Sequence, residues 1–76
     1  MKQKIYLYSK NFSKNLKAER LACNMTQKQV SELMGIKTQS YQAYENNISL
    51  PSTENLLKLS IIFNISIDEL FGIENK

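Results

Sequence analysis

The chain has 76 residues, of which 42% are hydrophobic and 22% charged, and its formal net charge is +3. This length and balance predict a single folded domain with a small core. The only cysteine, Cys23, excludes an intramolecular disulfide, and the absence of histidine removes the usual general base and most zinc ligands. We therefore expect no catalytic residues, no metal and no cofactor. With no signal peptide or long apolar run, the sequence also predicts a cytoplasmic protein that does not enter a membrane.

The positive charge is concentrated toward the N-terminal side of the chain. Residues 1–47 hold eight lysine or arginine residues and three glutamates, a balance of +5, whereas residues 48–76 balance at −2. A basic region of this kind suits contact with phosphates. Any one of these lysines, taken alone, fits an ordinary solvated charge equally well.

The first residues of the chain, 1–10, read as an N-terminal arm. Four apolar or aromatic residues follow one another from Ile5 to Tyr8, which favours an extended segment docked on the domain. The alternative is a frayed terminus. Leu21 and Ile61 fall off the core faces of their helices and form a second possible apolar patch for self-association, and we expect the Ile5–Tyr8 arm to cover them. The domain itself is placed at residues 11–73, and a C-terminal tail at 74–76.

A first helix is predicted from about Asn11 to Asn24. Phe12, Leu16 and Cys23 share one of its faces. On that face we expect Cys23 to be a small core residue rather than a redox sensor.

The most informative stretch has the sequence TQKQVSELMGIKTQSYQAYENN. Thr26 and Gln29 can each satisfy one free backbone N–H, so a helix should begin there with a capping box. Val30, Leu33 and Met34 recur at i, i+3 and i+4, which predicts one apolar stripe on that helix.

A glycine turn and another short helix follow. Gly35 is suited to the left-handed conformation that ends a helix, and the next helix can run from about Thr38 with Tyr41 and Tyr44 on its inner side. Aromatic residues near basic ones could also stack on single-stranded bases, but their i, i+3 spacing on the apolar face favours the core. Two short helices joined in this way describe a helix-turn-helix.

Two more helices complete the prediction. Pro51 prevents a helix from continuing through the loop after helix 3. Ser52 is a good N-cap for a fourth helix, whose inner face carries Leu56, Leu59 and Phe63. The segment SIDELFG predicts a short fifth helix with its own capping box and a glycine end. No segment is left for a small-molecule effector domain.

This ordered set of features resembles the Cro/repressor, or Xre-type, DNA-binding domains of bacteria and their phages. The resemblance covers roughly residues 12–72 and is carried by Arg20 and by the segments TQ, GI, YEN, LPS, LLKL and SIDELFG. It implies an all-α, compact five-helix, lambda repressor-like domain with the helix-turn-helix at helices 2 and 3. Asn24, Asn47 and Asn64 stand at glycine-type helix ends, and asparagine is the next best residue for a left-handed conformation.

In a helix-turn-helix the second helix enters the major groove, and its N-terminal residues face the base edges. Glutamine can pair with adenine, and threonine and alanine can meet a thymine methyl. We therefore expect a preference for A·T-containing steps, although each glutamine read alone is an ordinary surface residue. The predicted base contacts are Thr38, Gln39, Gln42 and Ala43.

Phosphate contacts are expected near the ends of helices 2 and 3, where amide donors and the helix dipole suit a phosphate oxygen. By resemblance, a glutamine at the Gln27 position anchors phosphate in lambdoid phage repressors. Lys37 stands where the family often has a serine or threonine cap, so either that cap is lost or Thr38 caps the helix instead. The predicted phosphate contacts are Gln27, Lys28, Lys37, Ser40, Asn46 and Asn47.

Arg20 and Glu45 are expected to form a structural ion pair. The resemblance places Arg20 near the end of helix 3, where Glu45 lies, and an arginine fork suits a carboxylate. The alternative is that Arg20 is a solvated charge able to touch phosphate.

A short recognition helix touches few bases, so a dimer is expected. Helix 5 and the loop before helix 4 often meet in such domains, which makes Ile48, Leu50, Ile67, Phe71 and Ile73 the candidate interface. The sequence thus predicts a double-stranded DNA-binding transcriptional repressor that binds an inverted-repeat operator as a homodimer. One alternative is a protein-interaction module on the same fold, antitoxin-like or regulatory, that binds a partner through the helix-5 face. A small enzyme is a further alternative, disfavoured by the lack of histidine.

Overall fold

Residues 2–73 are described by the structure, a computed structural model, and within them the chain forms five α-helices and no strand. α1 packs against α3 and α5, α2 packs against α3 and α4, and α4 packs against α5. None of these helices is both long and apolar enough to span a membrane. The predicted all-α, five-helix architecture is confirmed. The helices are α1 (Lys2–Ala22), α2 (Gln27–Met34), α3 (Thr38–Glu45), α4 (Thr53–Phe63) and α5 (Ile67–Phe71).

The core lies where all five helices meet. Tyr41 and Tyr44, the inward residues of α3, pack edge to face with ring centroids 6.3 Å apart. Their burial supports the core interpretation of these tyrosines over base stacking. The buried hydrophobic cluster consists of Phe12, Leu16, Val30, Met34, Tyr41, Tyr44, Leu59, Phe63 and Leu70.

The helix starts follow the predicted caps. The Thr26 hydroxyl accepts from the backbone N–H of Gln29, and the Gln29 side chain accepts from the backbone N–H of Thr26. Ser66 and Glu69 form the same reciprocal pair at the start of α5. Each pair satisfies two backbone donors that have no partner inside the helix.

The predicted left-handed positions are also present. Asn24, Asn47 and Asn64 have φ of 55°, 57° and 50°, and Gly35 has φ of 72°. Asparagine tolerates this region better than other residues with a Cβ, which explains how the chain ends three segments without glycine.

The structure corrects the prediction of an extended N-terminal arm. α1 begins at Lys2, so residues 2–10 are helical rather than extended, and the boundary drawn at residue 10 falls inside this helix. A helix satisfies its backbone groups within the segment, whereas an extended strand needs a sheet edge that residues 2–73 do not provide. Ile5, Leu21 and Ile61 are all exposed, so the expected covering of Leu21 and Ile61 is wrong. The tail at 74–76 lies outside the described residues.

The structure also corrects the prediction that Cys23 is a core residue, because its side chain is exposed. α1 ends at Ala22, so Cys23 lies in the turn and no longer follows the helical period of the inner face. Met25, two residues later, packs against the core instead.

Side-chain donors bind free backbone carbonyls at the C-termini of two helices. Asn15 Nδ2 donates to the Leu70 carbonyl at 2.9 Å and to the Glu69 carbonyl at 3.2 Å, which ties α5 to α1. Lys58 Nζ of α4 donates to the Met34 carbonyl at 3.0 Å, at the end of α2. The helix-turn-helix is therefore anchored to the rest of the domain by polar as well as apolar contacts.

Candidate nucleic-acid interface

The outward side of α3 carries the four predicted base-contacting residues. Since Tyr41 and Tyr44 occupy the inner side, Gln39 is left exposed. The other three are partly buried, since they lie between the exposed face and the contact with the remaining helices: Thr38, Gln42 and Ala43.

Thr38 does not cap α3. The N-cap is Lys37, whose side chain makes no capping hydrogen bond. The Thr38 hydroxyl lies 3.1 Å from the Ser31 hydroxyl of α2. Because Ser31 donates its only hydroxyl proton to the Lys28 carbonyl at 2.8 Å, Thr38 is the donor in that contact. Thr38 therefore presents its methyl group and oxygen lone pairs in a fixed orientation.

Ser31 is a residue of this surface that the sequence pattern did not reveal. Its side chain is buried and links α2 to the first residue of α3 through Thr38. The only sequence signal for its role was that Ser31, a polar residue, directly follows Val30 of the apolar stripe.

The predicted phosphate-contacting residues are mostly exposed. Lys28 lies in the first turn of α2, and Lys37 lies immediately before α3. Both lysines can reach an anion, because neither is buried. The exposed members of the set are Lys28, Lys37, Ser40, Asn46 and Asn47, whereas Gln27 is partly buried.

Arg20 and Glu45 are brought together as a bidentate pair. Arg20 Nε donates to Glu45 Oε2 at 2.7 Å, and Nη2 donates to Oε1 at 3.0 Å. Arg20 Nη1 also donates to the Met25 carbonyl at 2.9 Å. The Glu45 side chain is only 2% exposed, so the pair lies inside the domain and joins α1, α3 and the turn before α2.

Two further groups donate to the same carboxylate. Gln27 Nε2 donates to Glu45 Oε1 at 3.1 Å, and the Tyr41 hydroxyl donates to Oε2. With Arg20, these donors give the carboxylate four hydrogen bonds, which fills its acceptor capacity.

This environment shifts the pKa values of all three charged or ionisable partners. Burial alone raises the pKa of Glu45, but the hydrogen bonds from Arg20, Tyr41 and Gln27 outweigh it and hold the pKa below its ordinary value. Burial, reinforced by the hydrogen bond to Glu45, raises the pKa of Tyr41 well above its ordinary value. The hydrogen bonds to Glu45 raise the pKa of Arg20. At neutral pH the carboxylate is ionised and the phenol is neutral.

The network reaches the predicted base-contacting residues of α3 through two glutamines. Gln42 Nε2 donates to Gln27 Oε1 at 3.1 Å. A predicted base contact and a predicted phosphate contact are therefore joined to each other, and through Gln27 to Glu45. Nothing in the sequence pattern predicted this connection.

The candidate dimer residues differ in their exposure. Ile48, with 76% of its surface exposed, and Leu50 stand out from the loop between α3 and α4. Phe71 stacks on Phe12 with ring centroids 5.0 Å apart, so it belongs partly to the core. Leu70, on the helix-5 face that the alternative prediction offered to a partner protein, is fully buried and unavailable. Ile73 is exposed and Ile67 is partly buried.

The helix-turn-helix family model HTH_3 matches residues 16–70 of this chain, a segment that includes α2 and α3 entirely. The chain belongs to this helix-turn-helix family. The predicted Xre-type resemblance is therefore confirmed.

Among the described residues no group of three potential metal-ligating side chains occurs.

Similar proteins are transcriptional regulators by name. The chain is 46% identical over 54 residues to the cryptic phage CTXphi transcriptional repressor RstR of Vibrio cholerae, covering 71% of this chain and 48% of that protein. It is 37% identical over 62 residues to the HTH-type transcriptional regulator ImmR of Bacillus subtilis, covering 82% of this chain and 49% of that protein. The chain spans about half the length of the curated relatives it matches.

A solved structure supports the same fold. The crystal structure of a transcriptional regulator from Listeria innocua superimposes with a TM-score of 0.78 at 29% identity, covering 86% of this chain and 61% of that one. The position of α3 in this fold makes its exposed face the surface to consider for function.

Proposed function

We propose that this domain is a sequence-specific, double-stranded DNA-binding transcriptional regulator that acts as a repressor. The observation that carries the proposal is the outward face of α3, where Gln39 and Gln42 stand beside Ala43 while both tyrosines point inward. A helix that carries side-chain amides on its outward face can enter the major groove and hydrogen-bond base edges. The Vibrio phage protein is named a transcriptional repressor, which supports repression. The Bacillus protein is named a transcriptional regulator, which supports a role in transcription.

Positive charge beside α3 supports the same proposal. Lys28 and Lys37 are exposed at the starts of α2 and α3, and the N-terminal ends of both helices carry backbone N–H groups that suit phosphate oxygens. Phosphates on either side of the groove would then fix the register of the domain, while the α3 side chains select the sequence.

We propose further that the domain binds an inverted-repeat operator as a homodimer. A two-fold axis would place the two copies of α3 about 34 Å apart, one turn of DNA. The exposed Ile48 and Leu50, in the loop that follows α3, offer an apolar contact close to the recognition helix. The other predicted members of the candidate interface are Ile67, Phe71 and Ile73 in the α5 region.

The test is selection of bound duplexes from a random-sequence library at two salt concentrations. We expect an enriched inverted repeat with half-sites about one helical turn apart and a steep loss of affinity as salt rises. The Gln39→Ala variant is expected to lose the preference at one base pair per half-site. Enrichment of no sequence, with weak binding that only vanishes in salt, would contradict the proposal.

A protein-interaction module on the same fold is the second candidate. The observation in its favour is the exposure of Ile48 and Leu50 to solvent. Replacing Gln39 and Gln42 together with alanine separates the two functions. If regulation survives that double change but is abolished by Ile48→Lys, partner binding is the primary function.

A further inference from the structure

We propose that Glu45 fixes which way the side-chain amides of Gln27 and Gln42 point, and thereby makes Gln42 select adenine over guanine. Glu45 would then be a positioning residue for recognition as well as one half of an ion pair. This inference rests on the proposed function, because it concerns what α3 presents to a base pair.

The Glu45 carboxylate can only accept hydrogen bonds, and this fixes the orientation of the Gln27 side-chain amide. Glu45 Oε1 accepts from Arg20 and from Gln27, and Oε2 accepts from Arg20 and from Tyr41. An ionised carboxylate has no hydrogen to donate. If the Gln27 amide were reversed, its carbonyl oxygen would face Glu45 Oε1 across about the same short distance, two acceptors without a proton between them. Gln27 therefore turns its NH2 group toward Glu45.

The orientation of Gln27 in turn fixes that of Gln42. With its NH2 group directed at Glu45, Gln27 turns its Oε1 toward Gln42, and Gln42 Nε2 donates to that oxygen at 3.1 Å. Reversing Gln42 would again oppose two carbonyl oxygens. Gln42 therefore has one N–H and its own Oε1 left for any other partner.

The groups that remain on Gln42 match one purine better than the other. Adenine presents the N7 acceptor and the N6 amino donor in the major groove, so one N–H and one carbonyl oxygen satisfy both. Guanine presents the two acceptors N7 and O6, which require two donors. A freely rotating glutamine could offer both hydrogens of its amide to guanine, but Gln42 has already used one on Gln27. The network thus removes the guanine-binding option.

The experiment compares base preferences of the wild-type protein and four variants by library selection. Gln42→Ala first identifies the base pair that Gln42 reads. Gln27→Leu removes the tether of Gln42, and Glu45→Gln replaces a pure acceptor with a group that can donate or accept. Both are expected to reduce the adenine-over-guanine ratio at that base pair on the order of tenfold, with the ratios at other positions unchanged. Tyr41→Phe is the matched control, because it removes a hydrogen bond to Oε2 while leaving the bond between Gln27 and Oε1; its ratio should equal that of the wild type.

Several outcomes would overturn the inference. A purely structural role of Glu45, or a simple phosphate contact by Gln27, would lower affinity for all sequences equally and leave the adenine-over-guanine ratio unchanged. If Glu45→Gln fails to fold, Gln27→Leu still tests the inference, since it keeps the Arg20–Glu45 pair and Glu45 reaches Gln42 only through Gln27. An unchanged adenine-over-guanine ratio in Gln27→Leu would overturn the inference.

A second measurement separates this inference from the proposed function. In DNA-free protein, the side-chain NH2 signals of Gln27 and Gln42 in NMR spectra should show slowed hydrogen exchange, and both should lose it in Glu45→Gln but not in Tyr41→Phe. Fast exchange at both glutamines in the wild type would refute the fixed orientation even if DNA selection succeeds. Slow exchange without any selected sequence would refute the proposed function, and with it the choice of base, while leaving the orientation established.

Discussion

Arg20 of α1 holds Glu45 at the end of α3 with two hydrogen bonds of 2.7 and 3.0 Å, and the Glu45 side chain is almost completely buried. Removing one partner from such a pair leaves a buried charge without compensation. Arg20→Met is therefore expected to lower the free energy of unfolding by about 3–5 kcal/mol, measured by urea denaturation. Arg20→Lys is the control: it keeps the charge but loses the fork, so its stability should fall between those of the wild type and Arg20→Met. A decrease below about 1 kcal/mol in Arg20→Met would show that the pair is effectively solvated.

The same carboxylate predicts acid sensitivity. The pKa of Glu45 in the folded protein lies below its ordinary value of 4.5, so the unfolded state binds the proton first as pH falls. Its contribution to stability is complete above pH 4.5 and is lost as pH falls below that value toward the folded pKa. Glu45→Gln cannot titrate, so the gap in unfolding free energy between wild type and this variant should narrow over that range. A gap that stays constant from about pH 7 to about pH 3 would contradict the assignment.

The helix-turn-helix could be predicted from the sequence because its signals are local. The capping box of Thr26 and Gln29 spans four residues, and the left-handed positions, such as Asn24 and Asn47, depend on one residue each. Those signals place the start of α2 and the ends of the neighbouring segments within a residue or two. The all-α fold and the family follow from their order along the chain.

Other features depend on contacts that no local pattern encodes. Gln27 and Gln42 are fifteen residues apart on different helices, and their hydrogen bond exists only because α2 and α3 pack at one particular offset. Leu33 fits the apolar stripe of α2 by spacing, yet it is exposed, because an eight-residue helix buries only a narrow face. The first residues of α1 were misassigned because a continuous apolar run has neither the helical nor the strand period.

Lys58 provides a test of how α4 supports the helix-turn-helix. Its Nζ donates to the Met34 carbonyl at the C-terminus of α2, where a positive charge also suits the helix dipole. Lys58→Met is expected to cost about 1 kcal/mol in thermal or urea unfolding. Glu54→Gln is the matched control: it removes the exposed 3.7 Å ion pair with the same lysine and one acidic charge from the first turn of α4, and it should cost about 0.5 kcal/mol or less. Equal decreases in the two variants would assign the stabilisation to the ion pair instead.

Lys37 and Gln39 should affect DNA binding in different ways. Lys37 is exposed just before α3, so Lys37→Ala is expected to weaken binding to all sequences and to reduce the salt slope of log K by about 0.9 for each phosphate that the lysine neutralises in the wild type. Gln39→Ala should keep the salt slope and reduce discrimination at one base pair by about 1–3 kcal/mol. Titrations of each variant at several salt concentrations, on the selected site and on a mismatched site, measure both quantities. A change of base preference in Lys37→Ala would contradict the phosphate role of Lys37 and indicate that this lysine contacts a base.

Self-association offers a test with a control of nearly equal exposure. Ile48 is 76% exposed in the loop that follows α3, and Ile61 is 78% exposed on α4, outside the candidate dimer surface. Introducing a charge into an apolar interface leaves that charge without water or a partner. Ile48→Lys is therefore expected to raise the dimer dissociation constant by roughly tenfold or more, about 1.4 kcal/mol, in sedimentation equilibrium. Ile61→Lys adds the same charge at a similarly exposed site and should leave the constant unchanged. If Ile61→Lys weakens association and Ile48→Lys does not, the two copies meet through α4, and the loop between α3 and α4 is free in the dimer.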